Sequence, residues 1–126
     1  MADYTPLYGK PQALTYTAGA AITGGQCLYF SGTDTVSPAG ANAANFAGIA
    51  AHDAANGAPV TVLAGAGVVH ETLVTASTAA GALVFAGSAS TGELSAANST
   101  YNVAVGVAIR ATTTGHATLR WKSLIG

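Results

Sequence analysis

Three histidines and one cysteine are the side chains of this sequence best suited to catalysis or metal binding. His52, His70 and His116 lie 18 and 46 residues apart, so they lack the HxH and HExxH spacings typical of metal sites. Metal clusters also draw on Cys, Asp and Glu, which are scarce here, and we predict neither a metal site nor a cofactor. His52 and Asp53 precede an Asn-Gly turn, which favours a polar turn pair over a catalytic base held by an acid.

The remaining motifs give little support for catalysis. Cys27 lies in an apolar segment between Gln26 and Leu28, so we expect a buried, unreactive thiol. The GAG stretch at residues 65–67 resembles the start of a dinucleotide-binding loop, but it lacks the third glycine and a following helix pattern. The P-loop and GxSxG motifs do not occur. The sequence therefore predicts a protein that is not an enzyme.

The sequence carries very little charge. Only 7% of its 126 residues are charged, and the net charge is −1. A surface of Ser, Thr, Ala, Gly and Asn resists self-association poorly and suits burial against partners. The composition indicates a component of an assembly; the alternative is a rigid β protein that is simply neutral outside.

The few charges are unevenly distributed. The first 100 residues hold five acidic residues and one lysine, whereas the last 26 hold Arg110, Arg120 and Lys122. An acidic head and a basic tail are suited to pair across subunits, although chance explains the segregation about as well. Because the chain as a whole is not basic, we predict no nucleic-acid partner.

Targeting signals and cysteine content indicate the compartment in which a protein folds. The first residues lack the basic and apolar regions of a signal peptide, and no 18-residue apolar stretch follows. A single cysteine excludes an intramolecular disulfide. We therefore expect a protein made in a cytoplasm, with no membrane partner.

Gly and Pro punctuate short runs rich in Val, Thr, Leu and aromatic residues, which is typical of strands and turns. The predicted strands cover residues 13–17, 26–31, 46–51, 59–64, 68–74, 83–86, 102–109 and 117–123. In the strand at 102–109, bulky residues occupy the odd positions and small ones the even positions, which predicts packing on both sides. In the last strand, Leu119 and Trp121 are predicted to face inward, opposite Arg120 and Lys122. The fold class predicted is all-β.

Two stretches of the chain are nearly the same, GQCLYFSGT at residues 25–33 and GALVFAGSA at residues 81–89. The matching segments are 28–32 with 83–87 at an offset of 55, 48–50 with 106–108 at 58, and 60–62 with 119–121 at 59. The alternative is that sequences rich in Ala, Gly and Val align with themselves easily. We predict two pseudo-repeated β units at about 20–66 and 77–123, packed together in one domain at 20–126.

Residues 1–19 fall outside this repeat. They contain two prolines and three tyrosines, which favours an extended arm that docks elsewhere. An edge strand packed on its own domain is an equally good interpretation.

The sequence also resembles a known family. Residues 3–8 (DYTPLY), 14–15 (LT), 21–26 (AITGGQ), 48–51 (GIAA) and 60–62 (VTV) are similar to the capsid decoration, or cement, proteins of tailed bacteriophages. The resemblance covers the whole chain, most clearly residues 3–63, and the departures are Cys27 and the spacing at residues 8–11. It implies a compact β-clip or β-tulip type of barrel or sandwich and no catalytic residues.

The resemblance also implies a role and a location. We expect a structural virion protein, often a homotrimer, that binds the major capsid protein on the outer surface of a phage head and cements the shell. The arm residues expected to touch the capsid are Tyr4, Pro6, Leu7 and Tyr8. The residues expected at a subunit contact or an acidic capsid patch are Arg110, Arg120 and Lys122.

Two other functions fit the same β content and low charge. One is a tail or fibre component of the virion. The other is a carbohydrate-binding adhesion module displayed on the particle, which would need an exposed aromatic platform. Trp121 is the only tryptophan, so its exposure decides whether it could form that platform.

Overall fold

The computed structural model describes residues 11–39, 46–75, 77–86, 92–95, 104–114 and 117–124. Within these ranges every regular element is a β-strand, which confirms the all-β prediction. The strands are β1 Gln12–Ala18, β2 Cys27–Gly32, β3 Thr35–Pro38, β4 Phe46–Ala50, β5 Pro59–Ala64, β6 Val69–Val74, β7 Leu83–Ala86, β8 Leu94–Ser95, β9 Ala104–Ala108 and β10 Ala117–Ser123.

These strands close into two barrels of the same topology. The first barrel has the order β1-β3-β2-β4-β5, and the second, counted from β6, has the order β6-β8-β7-β9-β10. β1 pairs in parallel with β3, as β6 does with β8. The other pairs, such as β1 with β5 and β6 with β10, are antiparallel. The equivalent order and pairing confirm that the fold consists of two repeated β units.

Hydrogen bonds and strand pairs show which residues of the two barrels are equivalent. The Gly25 amide donates to the Ala50 carbonyl at 2.8 Å, and the Gly81 amide donates to the Ala108 carbonyl at the same distance. Leu28 pairs with Gly48, and Val84 pairs with Gly106. β2 therefore corresponds to β7 at an offset of 56 residues. The predicted offset of 55, which aligned the two phenylalanines, is wrong by one position.

The repeated unit begins before residue 20. Residues 12–18, assigned to the arm, form β1, whose residues pair with β5 from Gln12↔Ala64 to Thr17↔Pro59. The corresponding strand of the second barrel, β6, lies in the segment between the two predicted repeats. For these residues the arm assignment needs correction, because they supply one side of the closed sheet. Residues 1–10, with Tyr4, Pro6, Leu7 and Tyr8, lie outside the described residues.

Each barrel has its own apolar interior. The interior of the first barrel contains Ala18, Ile22, Leu28, Val36, Ala47, Ala50, Val60 and Val62. The corresponding side chains of the second barrel belong to a larger cluster, which also includes Cys27, Ala39, Ile49 and Leu63 from the first barrel. The larger cluster therefore spans both units, whereas the interior of the first barrel forms a cluster of its own.

The Gly-apolar-Ala segments at 48–50 and 106–108 each lie beside a β-bulge and a close contact with the neighbouring strand. The register shifts between Leu28 and Tyr29 in the first barrel, and at the corresponding position beside Gly106 in the second. A Cβ on Gly106 would lie 2.3 Å from Trp121 Cε3, and one on Gly48 would lie 2.7 Å from Val62 Cγ1. Both glycines are required because a side chain of the neighbouring strand crosses directly over them.

The bulge also changes which way the side chains of β9 face. Val105 is fully buried in the core, whereas Val107 lies directly opposite exposed Leu83 and Ile109 is 43% exposed. The alternation predicted for residues 102–109 placed Val105 and Val107 on one face. That prediction is wrong, because the extra residue of the bulge reverses the alternation after Val105.

Candidate interaction surfaces

Cys27, His52 and Asp53, which could in principle act in catalysis, make structural contacts. Cys27 is 1% exposed, and its burial raises the pKa of the thiol far above the ordinary value. His52 Nε2 accepts a hydrogen bond from the Thr61 amide at 3.1 Å, which leaves Nδ1 to donate to the Asp53 carbonyl at 2.8 Å. Asp53 Oδ1 accepts from the Gly24 amide at 2.9 Å. These contacts hold the loop between β4 and β5, as expected for a polar turn pair.

No group of three or more His, Cys, Asp or Glu side chains in the described ranges is arranged to hold a metal ion. Among the same residues, no helix is long and apolar enough to cross a membrane. His116 lies outside the described residues.

Trp121 and His70 form the centre of the second barrel. Trp121 is fully buried, and its indole N–H donates to Thr72 Oγ1 at 3.0 Å. The His70 ring lies 4.9 Å from the Trp121 ring and is 2% exposed. The inward orientation of Leu119 and Trp121 is confirmed, and a buried indole cannot be the exposed platform of a carbohydrate-binding module.

Burial of His70 makes the stability of the protein sensitive to acid. Desolvation lowers the pKa of His70 from 6.5 to about 4. Below pH 6.5 the unfolded chain takes up a proton that the folded protein refuses, so stability falls as the pH approaches 4. We expect a loss of about 3 kcal/mol over this interval, at about 1.4 kcal/mol per pH unit.

Urea unfolding at pH 7 and pH 4.5 measures this effect. His70→Phe keeps a ring beside Trp121 but cannot titrate, so its stability should change less between the two pH values. Equal changes in the wild-type protein and the variant would contradict the assignment to His70.

The basic residues near the end of the chain lie on the second barrel. Arg120 donates two hydrogen bonds to Glu71 Oε2, from Nε at 3.2 Å and from Nη2 at 3.1 Å. Lys122 and Arg110 are exposed. Arg120 is therefore held within its own barrel, whereas Lys122 and Arg110 face the solvent.

A groove of about 300 Å³ runs between the two barrels. It is lined by residues 23–26 of the first barrel and by Leu73, Gly92 and Glu93 of the second. The Cys27 amide donates to the Gly92 carbonyl at 2.8 Å, and the Gly92 amide donates to the Ala39 carbonyl at 3.2 Å. Neither Gly92 nor the groove could be recognised from the sequence, because the contact depends on the positions of two separate barrels.

A family model described as phage cement protein matches residues 9–123. The chain belongs to the phage cement protein family. This confirms the resemblance seen in the sequence. Members of this family are structural proteins of phage particles, and this cement protein is accordingly a capsid-associated virion component.

A solved structure has the same fold as this cement protein. It is the crystal structure of head fiber gp8.5 N base in bacteriophage phi29, with a TM-score of 0.69 and 15% sequence identity. The match covers 90% of this chain and 94% of that chain. No individually curated protein matches the cement protein in sequence.

Proposed function

We propose that this cement protein binds the outer surface of an assembled phage head, contacts the major capsid protein and stabilises the shell as a homotrimer. The observation that carries the proposal is the family match over residues 9–123. The double barrel fits this role, because closed sheets give a stiff body and the 7% charge leaves a largely neutral surface to bury against a partner.

Stabilisation follows from mass action. A protein that binds the assembled shell but not its separated subunits shifts the equilibrium toward the assembled state. Several linked copies strengthen the effect, because the second and third contacts of an oligomer form at high effective concentration. Neither effect requires a catalytic group or a deep pocket.

The contacts that we propose for the capsid come from the N-terminal segment. Tyr4, Pro6, Leu7 and Tyr8 combine apolar area with two hydroxyl groups, and an extended segment of this kind can add a strand to an exposed sheet edge. Arg110, Arg120 and Lys122 are proposed as a second contact, with a subunit or an acidic capsid patch. Of these, Arg120 contributes least, because Glu71 already engages its guanidinium.

Deletion of residues 2–11 tests the capsid contact. β1 begins at Gln12, so the deletion leaves both barrels intact, and we expect a folded protein that no longer co-sediments with purified heads. The matched control is Thr118→Ala in the full-length chain, which alters an exposed side chain outside the proposed contacts and should fold and keep its binding. Undiminished binding by the truncated protein would overturn the assignment to the N-terminal segment.

Quantitative mass spectrometry of gradient-purified phage particles distinguishes decoration of the shell from a tail or fibre role. A copy number of the same order as that of the capsid protein supports decoration of the whole shell. A few copies per particle would favour the tail or fibre component instead.

A further inference from the structure

The turn that leads into β2 and the turn that leads into β7 have the same backbone form. The Gln26 amide donates to the Thr23 carbonyl at 3.1 Å, and the Ala82 amide donates to the Ala79 carbonyl at 3.2 Å. Each turn contains a glycine with a positive φ angle, 89° in the first barrel and 85° in the second. The two turns therefore correspond at the same offset of 56 residues as β2 and β7.

The loop that follows β4 corresponds to the loop that follows β9. An isolated β-bridge joins each loop to its turn, between Ile22 and Ala54 in the first barrel and between Thr78 and Thr112 in the second. The loops therefore correspond at an offset of 58 residues, which makes residue 111 of the second barrel equivalent to residue 53 of the first.

In the first barrel, side chains accept hydrogen bonds from two consecutive amides of the turn. The Thr23 amide donates to Gln26 Oε1 at 2.8 Å, and the Gly24 amide donates to Asp53 Oδ1 at 2.9 Å. Both acceptors are planar oxygens, one of a carboxamide and one of a carboxylate. The first barrel thus supplies its own acceptors for these two donors.

In the second barrel, alanine occupies both acceptor positions. Ala82 replaces Gln26, and Ala111 replaces Asp53. The methyl group of alanine accepts no hydrogen bond. An open cavity of about 550 Å³ lies at this end of the barrel, lined by residues 77–79 of the turn and residues 111–113 of the loop.

The amides of Ala79 and Ala80 are the equivalents of the Thr23 and Gly24 amides. Among the residues that the structure describes, no group accepts a hydrogen bond from either of these two amides. Both alanines are exposed, and Ala79 lines the cavity. Consecutive amides in a turn create a partly positive site that attracts anions.

The cavity also offers hydroxyl groups and lies close to a positive charge. Thr112 Oγ1 accepts from the Thr78 amide at 3.1 Å, so its hydroxyl hydrogen can donate to a bound group. Ser77 and Thr113 contribute two further hydroxyl groups to the lining, which contains no acidic residue. Exposed Arg110 immediately precedes the lining residues of the loop. These groups all favour a negatively charged ligand.

We propose that this cavity, with the Ala79 and Ala80 amides, forms a carboxylate site that binds an aspartate or glutamate side chain of the major capsid protein. A carboxylate presents two planar oxygens, the kind of acceptor that Gln26 and Asp53 supply in the first barrel. The choice of the capsid protein as the source of the carboxylate rests on the proposed function, whereas the carboxylate site itself does not.

Nuclear magnetic resonance with acetate as the probe tests the site directly. In ¹H–¹⁵N spectra of the full-length protein, sodium acetate should shift the Ala79 and Ala80 amide signals saturably, relative to sodium chloride at equal ionic strength. The Thr23 and Gly24 amides provide a control in the same sample, because their acceptors are already in place. Equal shifts of the two pairs, or no shift of either, would overturn the proposal.

Ala111→Asp supplies within the chain the carboxylate that the second barrel lacks. It should engage the Ala80 amide and weaken acetate binding about 10-fold, the cost of losing one hydrogen bond to a charged group. Thr114→Asp is the matched control, because it adds the same charge to an exposed residue of the same loop and should keep most of the affinity. Circular dichroism confirms that both variants are folded. Unchanged acetate binding by Ala111→Asp would contradict the equivalence with Asp53.

Co-sedimentation with purified heads identifies the source of the carboxylate. Ala111→Asp should bind heads about 10-fold more weakly per site, whereas Thr114→Asp should bind like the wild type. Saturable acetate shifts together with unchanged head binding by Ala111→Asp would overturn the capsid protein as the source. If the wild-type protein does not bind heads, the proposed function fails, and the acetate titration still decides whether the site binds a carboxylate.

Discussion

Replacing Trp121 with alanine is expected to lower the free energy of unfolding by about 3–5 kcal/mol, the range typical of a fully buried tryptophan. The side chain is 0% exposed and packs over Gly106 and against the ring of His70. Its removal leaves a cavity in the middle of the second barrel. It also removes the indole N–H that donates to Thr72 Oγ1 at 3.0 Å. Urea unfolding followed by far-UV circular dichroism measures the loss.

Two further variants serve as comparisons for Trp121→Ala. Trp121→Phe keeps most of the apolar contact and loses only the hydrogen bond and part of the ring, so it should cost much less than alanine. Lys122→Ala, one residue further along the same strand, alters an exposed side chain and should change stability by less than about 0.5 kcal/mol. If Trp121→Ala were as stable as Lys122→Ala, the position of the indole in the core would be wrong.

Adding a single methyl group at Gly106 is expected to cost about 3 kcal/mol, at the upper end of the range for overpacked cores. The new Cβ would lie 2.3 Å from Trp121 Cε3 and 2.6 Å from the Lys122 carbonyl oxygen. The backbone of β10 cannot yield without breaking its pairing with β9, in which Lys122 lies opposite Val107. The melting temperature and the urea midpoint should both fall.

Gly32→Ala is the matched control for this substitution. Gly32 also lies in a strand, but there the nearest atom to an added Cβ is Thr35 Cβ at 3.7 Å, an ordinary contact distance. Because alanine restricts the unfolded chain, this variant should be neutral or more stable by about 0.5 kcal/mol. Opposite effects of the same methyl group at the two positions would support the packing described here, and equal effects would refute it.

The strands that could be predicted from the sequence are those with bulky side chains between turn residues. Residues 59–64, 83–86 and 117–123 were placed with the bounds that the structure has. β3 and β8 were missed, and they occupy equivalent places in the two barrels. β3 ends in proline and β8 has two residues, so neither carries a periodic pattern long enough to detect.

The register of the repeat could not be predicted from residue types, because the first unit has two adjacent aromatic residues, Tyr29 and Phe30, where the second has Phe85 alone. Aligning Phe30 with Phe85 matched the letters, yet the pairing of Val84 with Gly106 shows that the structural equivalent of Phe85 is Tyr29. The exposure of Leu83 could not be predicted either. Leu83 looks like a core residue in the sequence, and only its comparison with buried Cys27 shows it to be an exposed equivalent of an interface position.

Closure of both sheets has a consequence for solubility. An open sheet presents edge strands whose unsatisfied amides and carbonyls recruit other chains, and proteins commonly protect such edges with charged side chains. With 7% charged residues this chain has few side chains for that purpose. Each of the two sheets that the structure describes instead pairs its last strand with its first, which removes the edge itself. A protein with so few charges can thus avoid seeding β-aggregation through its sheets even where copies lie close together.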